Sequence, residues 1–178
     1  MTSDQTLSDA ERRILAGWAA DCAGRVVQLF EADPPADEQI RDALDRARAY
    51  GDGGGTAAEE IRKRMIAVKA ASAATTPAGA AAARSVGQAA AVAHMGAHAL
   101  GAAAYAVKAV SLANPQRPDA VDDEVSWQVA HLSDDARAVL QLLPVIGEGS
   151  GGPLGPGLLS RGVLGSVIRD IQTRIRVD

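Results

Sequence analysis

The run QAAAVAHMGAHALGAAAYAVKAV, from Gln88 to Val110, is the stretch on which the fold turns. It is long enough to be tested as a membrane span. However, it is built mostly of Ala and carries His94, His98, Tyr105 and Lys108. Ala contributes little transfer energy, and a span needs about 20 strongly apolar residues. The run therefore reads as buried helix in a soluble protein, with the cytoplasm as the expected compartment. Gly costs about 1 kcal/mol in a helix interior relative to Ala, so Gly96 marks a bend between two helices. One covers Ala80 to Ala93, opened by Thr76-Pro77. The next covers Ala97 to Leu112 and is ended by Asn114-Pro115. Small side chains let helix axes approach closely, which makes these two central.

Composition supports the same class. Aromatics are 3% of the 178 residues, and Ala is about a fifth of the chain. Strands draw on β-branched and aromatic residues, so the expected fold is all-α: a single Ala-rich bundle of about seven helices plus a C-terminal amphipathic helix. One Cys cannot form an internal disulfide, which excludes a disulfide-stapled secreted class. The net charge of -4 argues against a dedicated nucleic-acid binder. The N-terminal Met1-Thr2-Ser3-Asp4-Gln5-Thr6 has no basic or apolar signal region.

Outward from the central pair, Ser8-Asp9-Ala10-Glu11 is a capping box. The helix it opens carries Ile14, Leu15, Trp18, Cys22, Val26, Leu29 and Phe30 on one stripe, and Asp33-Pro34-Pro35 stops it. A second helix runs from Pro35 to Tyr50, followed by the break Gly51 to Gly55. Thr56 to Glu59 repeats the capping box for a third helix, with Ile61, Met65 and Val68 inward and Arg62, Lys63, Arg64 and Lys69 solvated. Val125, Trp127 and Val129 mark a sixth helix. Ser133 caps a seventh, closed by Pro144. These elements make a bundle domain over 8–145. Residues 146–157, rich in Gly and Pro, read as a linker. Over 158–178, Leu164, Val167, Ile168, Ile171 and Ile175 recur at helical spacing. This tail docks on its own bundle or, through the same face, on a second copy or a partner as a helix in a groove. It lacks the Trp, Phe or Lys anchors of a membrane-surface helix.

The densest polar cluster in an apolar setting is His94 to His98. Two His four apart share a helix face and can share a metal, with Asp21, Cys22 or His131 as a third ligand. The run has no Glu of the His-Glu-x-x-His kind, and the reading without metal is of satisfied core histidines. Asp21 either pairs with Arg25 four residues on, or faces His94 or His98 and holds imidazolium. Lys108, three residues after Tyr105, reads as a chain that reaches out to solvent. Cys22 reads as a small buried hydrophobe, and Trp127 as a bundle anchor. Phosphate-loop, nucleophile-elbow, Cys-x-x-Cys and dinucleotide motifs are missing, so no catalytic motif and no cofactor is expected.

Trp18 to Ala23, Gly87 to His94, His98 to Ala109 and Trp127-Gln128, taken in order, resemble the immunity-protein-five-like helical family of small actinobacterial and other bacterial proteins. The resemblance covers Glu11 to Leu143. It implies an all-helical domain that neutralises a bacterial toxin by occluding it, with a protein partner, while the charge and the Ala-rich run themselves point to no nucleic acid and no membrane. It also singles out Asp21, His94, His98, Tyr105 and Lys108. To these the binding set adds Trp18 and Trp127, giving Trp18, Asp21, His94, His98, Tyr105 and Trp127. Acidic stretches, Glu31 to Asp45 and Asp119 to Glu124, would complement a basic toxin. The alternative is a small-molecule binder or enzyme in which a His-Asp couple with Tyr105 and Lys108 works between helices.

Overall fold

Two capping boxes and a run of alanines fix where the main helices begin and which of them lie at the centre. The structure is a computed structural model and describes residues 3–177; Met1, Thr2 and Asp178, at the ends of the N-terminal hexapeptide and the tail, lie outside it. Among the described residues there are eight α-helices and no strand. They are α1 (Asp9–Gly24), α2 (Pro34–Gly51), α3 (Ala57–Ala70), α4 (Pro77–Ala91), α5 (His98–Ala113), α6 (Ala120–Ala130), α7 (Asp134–Gln141) and α8 (Gly162–Arg174). The chain is all-helical, as its composition requires.

Both capping boxes form. The Glu11 amide donates to Ser8 Oγ (3.2 Å) while the Ser8 amide donates back to Glu11 Oε2 (2.7 Å). Thr56 and Glu59 repeat the exchange at α3. Each box satisfies free N–H groups that the first turn leaves unpaired. Thr76 and Ser133 cap α4 and α7.

The helices α4 and α5 pack most closely on one another, and Ala82, Ala83, Ala99, Ala102, Ala103, Ala104 and Ala106 are fully buried. Around this pair, α1, α2 and α3 pack on α4, while α1, α6 and α8 pack on α5. Few polar groups enter the core, and those at its centre are bonded except the Gln128 Oε1, which has no partner among the described residues. Ser85 Oγ donates to the Ala102 carbonyl (2.7 Å). Trp18 Nε1 donates to the Gln128 carbonyl (2.9 Å), and Gln128 Nε2 to the Ala103 carbonyl (3.1 Å). A donor left unpaired there would cost its full desolvation.

Several local expectations need correction. The first helix ends at Gly24, and Val27–Leu29 forms a separate 3-10 turn. Gly24 and the β-branched Val26-Val27 pair disfavour continuation. In α3 the inward residues are Glu60, Ala67 and Ala70, while Met65 and Val68 are 48% and 52% exposed. The two alanines seat α3 against the bundle, which turns the larger side chains to its flank.

Gly96 does interrupt the central run, for a tertiary reason. Its amide donates to the Thr6 carbonyl (3.0 Å), and an added Cβ would stand 2.5 Å from Leu7 Cδ1. The N-terminal segment thus crosses the α4–α5 turn, with Leu7 itself in the left-handed region (φ 64°). Gln5 beside it is buried, donates to the Gly151 carbonyl (2.7 Å) and accepts from the Leu154 amide (2.9 Å). The Gly/Pro-rich segment is tied to the bundle at those points. Beyond it, α8 lays its apolar face on α5 and α6 of its own chain.

Candidate functional site

The exposed flank of α3 forms one wall of a cleft. α4 and the start of α5 form the rest, and Leu158 sits at the lip; the volume is about 370 Å³. Arg64, Met65 and Val68 come from α3, Arg84 and Gln88 from α4, and His98 and Tyr105 from α5, with His94 at the α4–α5 turn. This size falls within the range of ligand-holding concavities.

Inside it, His98 Nδ1 and Gln88 Oε1 lie 2.8 Å apart. An amide oxygen only accepts, so Nδ1 carries the proton and Nε2 keeps its lone pair. Burial, then the neighbouring His94 and Arg64, lowers the His98 pKa from 6.5 to about 4. His98 is therefore neutral at pH 7. Gly101 makes this pair possible: a Cβ there would stand 2.2 Å from Gln88 Oε1. Tyr105 is buried, and desolvation raises its phenol pKa although Arg84 opposes the rise.

Three of the residues singled out in the sequence, His94, His98 and Tyr105, meet in this cleft. The others do not. Asp21 is exposed on α1 and does not line the cleft, so neither proposed arrangement forms. Arg25 turns from Asp21 to Glu124, which is 4% exposed and accepts from Arg25 Nε (3.0 Å) and Nη2 (2.9 Å). A buried carboxylate offers a bidentate partner that an exposed one four residues back cannot match. Lys108 is half-buried elsewhere on α5, and Trp18 is held in the core by its bond to Gln128.

The His94 and His98 rings are 6.5 Å apart and tilted by 34°. Among the described residues no third His, Cys, Asp or Glu joins them, so the metal alternative has no ligand set. Cys22 is fully buried, and desolvation raises its thiol pKa well above the usual value, so it is inert. His131 instead stacks on Trp127, with ring centroids 3.9 Å apart. Arg25 also lies on the Trp127 ring, 3.9 Å from its centroid. This stack borders a second concavity of about 380 Å³ that includes Arg117 and Asp123.

Arg64, Arg84 and the depth of Gln88 were missed from sequence. Arg84 carried a signal: it is the lone charge between Pro77 and Ala93. The acidic stretches are largely answered by the chain's own arginines. Asp37 pairs with Arg41, Asp42 with Arg46, Asp123 with Arg117 and Asp122 with Arg174.

A family model described as an Imm-5 like putative immunity protein matches residues 5–135. The chain belongs to this family. Its matched span holds α1 to α6 whole and every cleft residue named above except Leu158. No curated protein and no solved structure matches the Imm-5 like chain. Among its described residues no helix is long and apolar enough to cross a membrane.

Proposed function

We propose that this Imm-5 like protein binds a bacterial toxin made by the same or a related cell and blocks it by covering its surface. Membership of the family carries this reading, because the matched region contains the walls of the cleft. Occlusion needs a complementary face and no catalytic group. The face around Met65, Val68 and Leu158, with Leu158 69% exposed, offers apolar surface of the kind found at protein interfaces.

Co-expression tests this directly. Cells producing the toxin encoded beside this gene should regain growth when the full chain is supplied, and the two proteins should co-elute. Failure of rescue with every neighbouring toxin would overturn the proposal.

The cleft also supports ligand binding as a second reading, because His94, His98 and Tyr105 converge there. The His-Asp acid-base couple is not part of it, since Asp21 stands outside.

A further inference from the structure

The cleft is charged in one sense only. Arg64 and Arg84 supply that charge, His98 being neutral, and among the described residues that line the cleft none is acidic. This is a local concentration in a chain of net charge -4. Neither Arg64 nor Arg84 makes an ion pair with the described residues, although ten of the chain's carboxylates are engaged in ion pairs elsewhere. Arg64 on α3 donates one N–H to the Ile61 carbonyl (2.8 Å), and Arg84 on α4 makes no hydrogen bond to the described residues. Both thus line the concavity with donors to spare for a carboxylate, which guanidinium binds through paired N–H groups. Tyr105 adds a hydroxyl that makes no hydrogen bond to the described residues.

The rim is apolar: Met65, Val68 and Leu158 are the exposed large side chains at its edge. A small acid inside the cleft would leave these wet, whereas a protein segment would cover them as it entered. Nucleic acid presents phosphate rather than carboxylate, and Met65, Val68 and Leu158 give its bases no aromatic side chain at the rim to stack on.

Resting on the toxin-binding reading above, we infer that the α3–α4–α5 cleft receives an acidic segment of the partner protein, an Asp or Glu beside a large apolar side chain. The carboxylate sits between Arg64 and Arg84, and the apolar side chain lies on Met65, Val68 and Leu158. The partner's contact is thus acidic, the reverse of the basic surface that the acidic stretches suggested.

The test has two arms, both on the full chain. In the first, Arg64→Glu/Arg84→Glu and Arg64→Lys/Arg84→Lys are titrated against the toxin that passes the growth test. The Glu pair should weaken binding at least tenfold, with the Lys pair closer to wild type. Wild-type binding should also fall as salt is raised. Unchanged binding by a folded Glu pair would overturn the inference and leave toxin neutralisation standing.

The second arm needs no toxin. 3-Phenylpropionate, a carboxylate on an apolar body, should shift the His98 and Tyr105 ring resonances with a Kd of about millimolar order. Its neutral amide should leave them unmoved. Equal shifts from acid and amide, or none from either, would overturn the inference even if the Glu pair fails to fold. Submicromolar binding of the free acid would make the cleft a small-molecule site, and tighter binding of a single-stranded oligonucleotide would make it a nucleic-acid site; either result removes the protein segment. If no toxin rescues growth yet the acid binds selectively, the toxin-binding reading fails and carboxylate recognition by the cleft remains.

Discussion

His98 couples the cleft to the stability of the whole chain. Its folded pKa of about 4 lies below the ordinary 6.5 because burial, with His94 and Arg64 beside it, disfavours the cation. Below pH 6.5 the unfolded chain takes up a proton that the folded chain refuses. The His98 contribution to stability should therefore be full above pH 6.5, fall as pH drops towards 4, and level off below. The loss is on the order of 3 kcal/mol. Urea titrations across that window should show the slope, and His98→Gln should flatten it. Asp9, whose pKa is lowered by its bonds from Arg13 and Tyr50, acts only at lower pH, so the two contributions separate. An equal slope in both proteins would count against a neutral, buried His98.

At the same scale, Arg25 and Glu124 form the best-defined ion pair. Arg25→Met should destabilise by about 3 kcal/mol, because removing one partner leaves a buried carboxylate uncompensated. Arg25→Met/Glu124→Gln should recover part of that loss, a coupling that a double-mutant cycle measures by chemical denaturation.

Between helices, close approach is decided by single hydrogen atoms. Gly51, at the end of α2, faces α1 so closely that an added Cβ would stand 2.9 Å from the Gly17 amide nitrogen. That neighbour is backbone and cannot swing away. Gly51→Ala should force α1 and α2 apart and cost about 1–3 kcal/mol. Gly17 is the converse: nothing lies within 4 Å of a Cβ there. Gly17→Ala should raise stability by up to about 1 kcal/mol, since Ala is the better helix residue. Thermal melts of the two variants should move in opposite directions. Gly101→Ala belongs to the same class but acts on the cleft. It should displace Gln88 from His98 and, because an accepting oxygen favours the imidazolium, lower the His98 pKa further, measurable by NMR titration of the ring.

For the molecule as a whole, α8 is a structural component. Leu164, Val167, Ile168, Ile171 and Ile175 are all buried. At about 1.5–3 kcal/mol each they contribute as much as the total stability of a typical domain. Termination after Gly157 should abolish cooperative melting, and Ile168→Ala alone should cost about 2–4 kcal/mol. A truncated chain that melts like the full one would show that the bundle does not depend on α8.

The helices and their starts were legible in the residues because they depend on neighbours in the chain. Capping boxes at Ser8 and Thr56, prolines after Asp33 and Thr76, and the Ala-rich run each act over one or two turns. Only half of the cleft could be read in the same way. His94, His98 and Tyr105 stand out as polar residues in an apolar run, but Arg64 looked like one more solvated charge on α3. The rotation of α3 about its axis is chosen by how closely Ala67 and Ala70 seat it against the bundle. That rotation exposes Met65 and Val68 and brings Arg64 into the cleft that Arg84 also lines.

Asp21 and Arg25 show the same division. Four residues apart on one helix, they satisfy the local rule for a pair, yet Glu124, 99 positions further on, takes the arginine. Helix formation is a property of short segments, settled by propensity, caps and breakers. Which face meets which neighbour, and which charge is left without a partner, is settled by the global minimum of burial and desolvation, to which residues distant in the chain contribute equally.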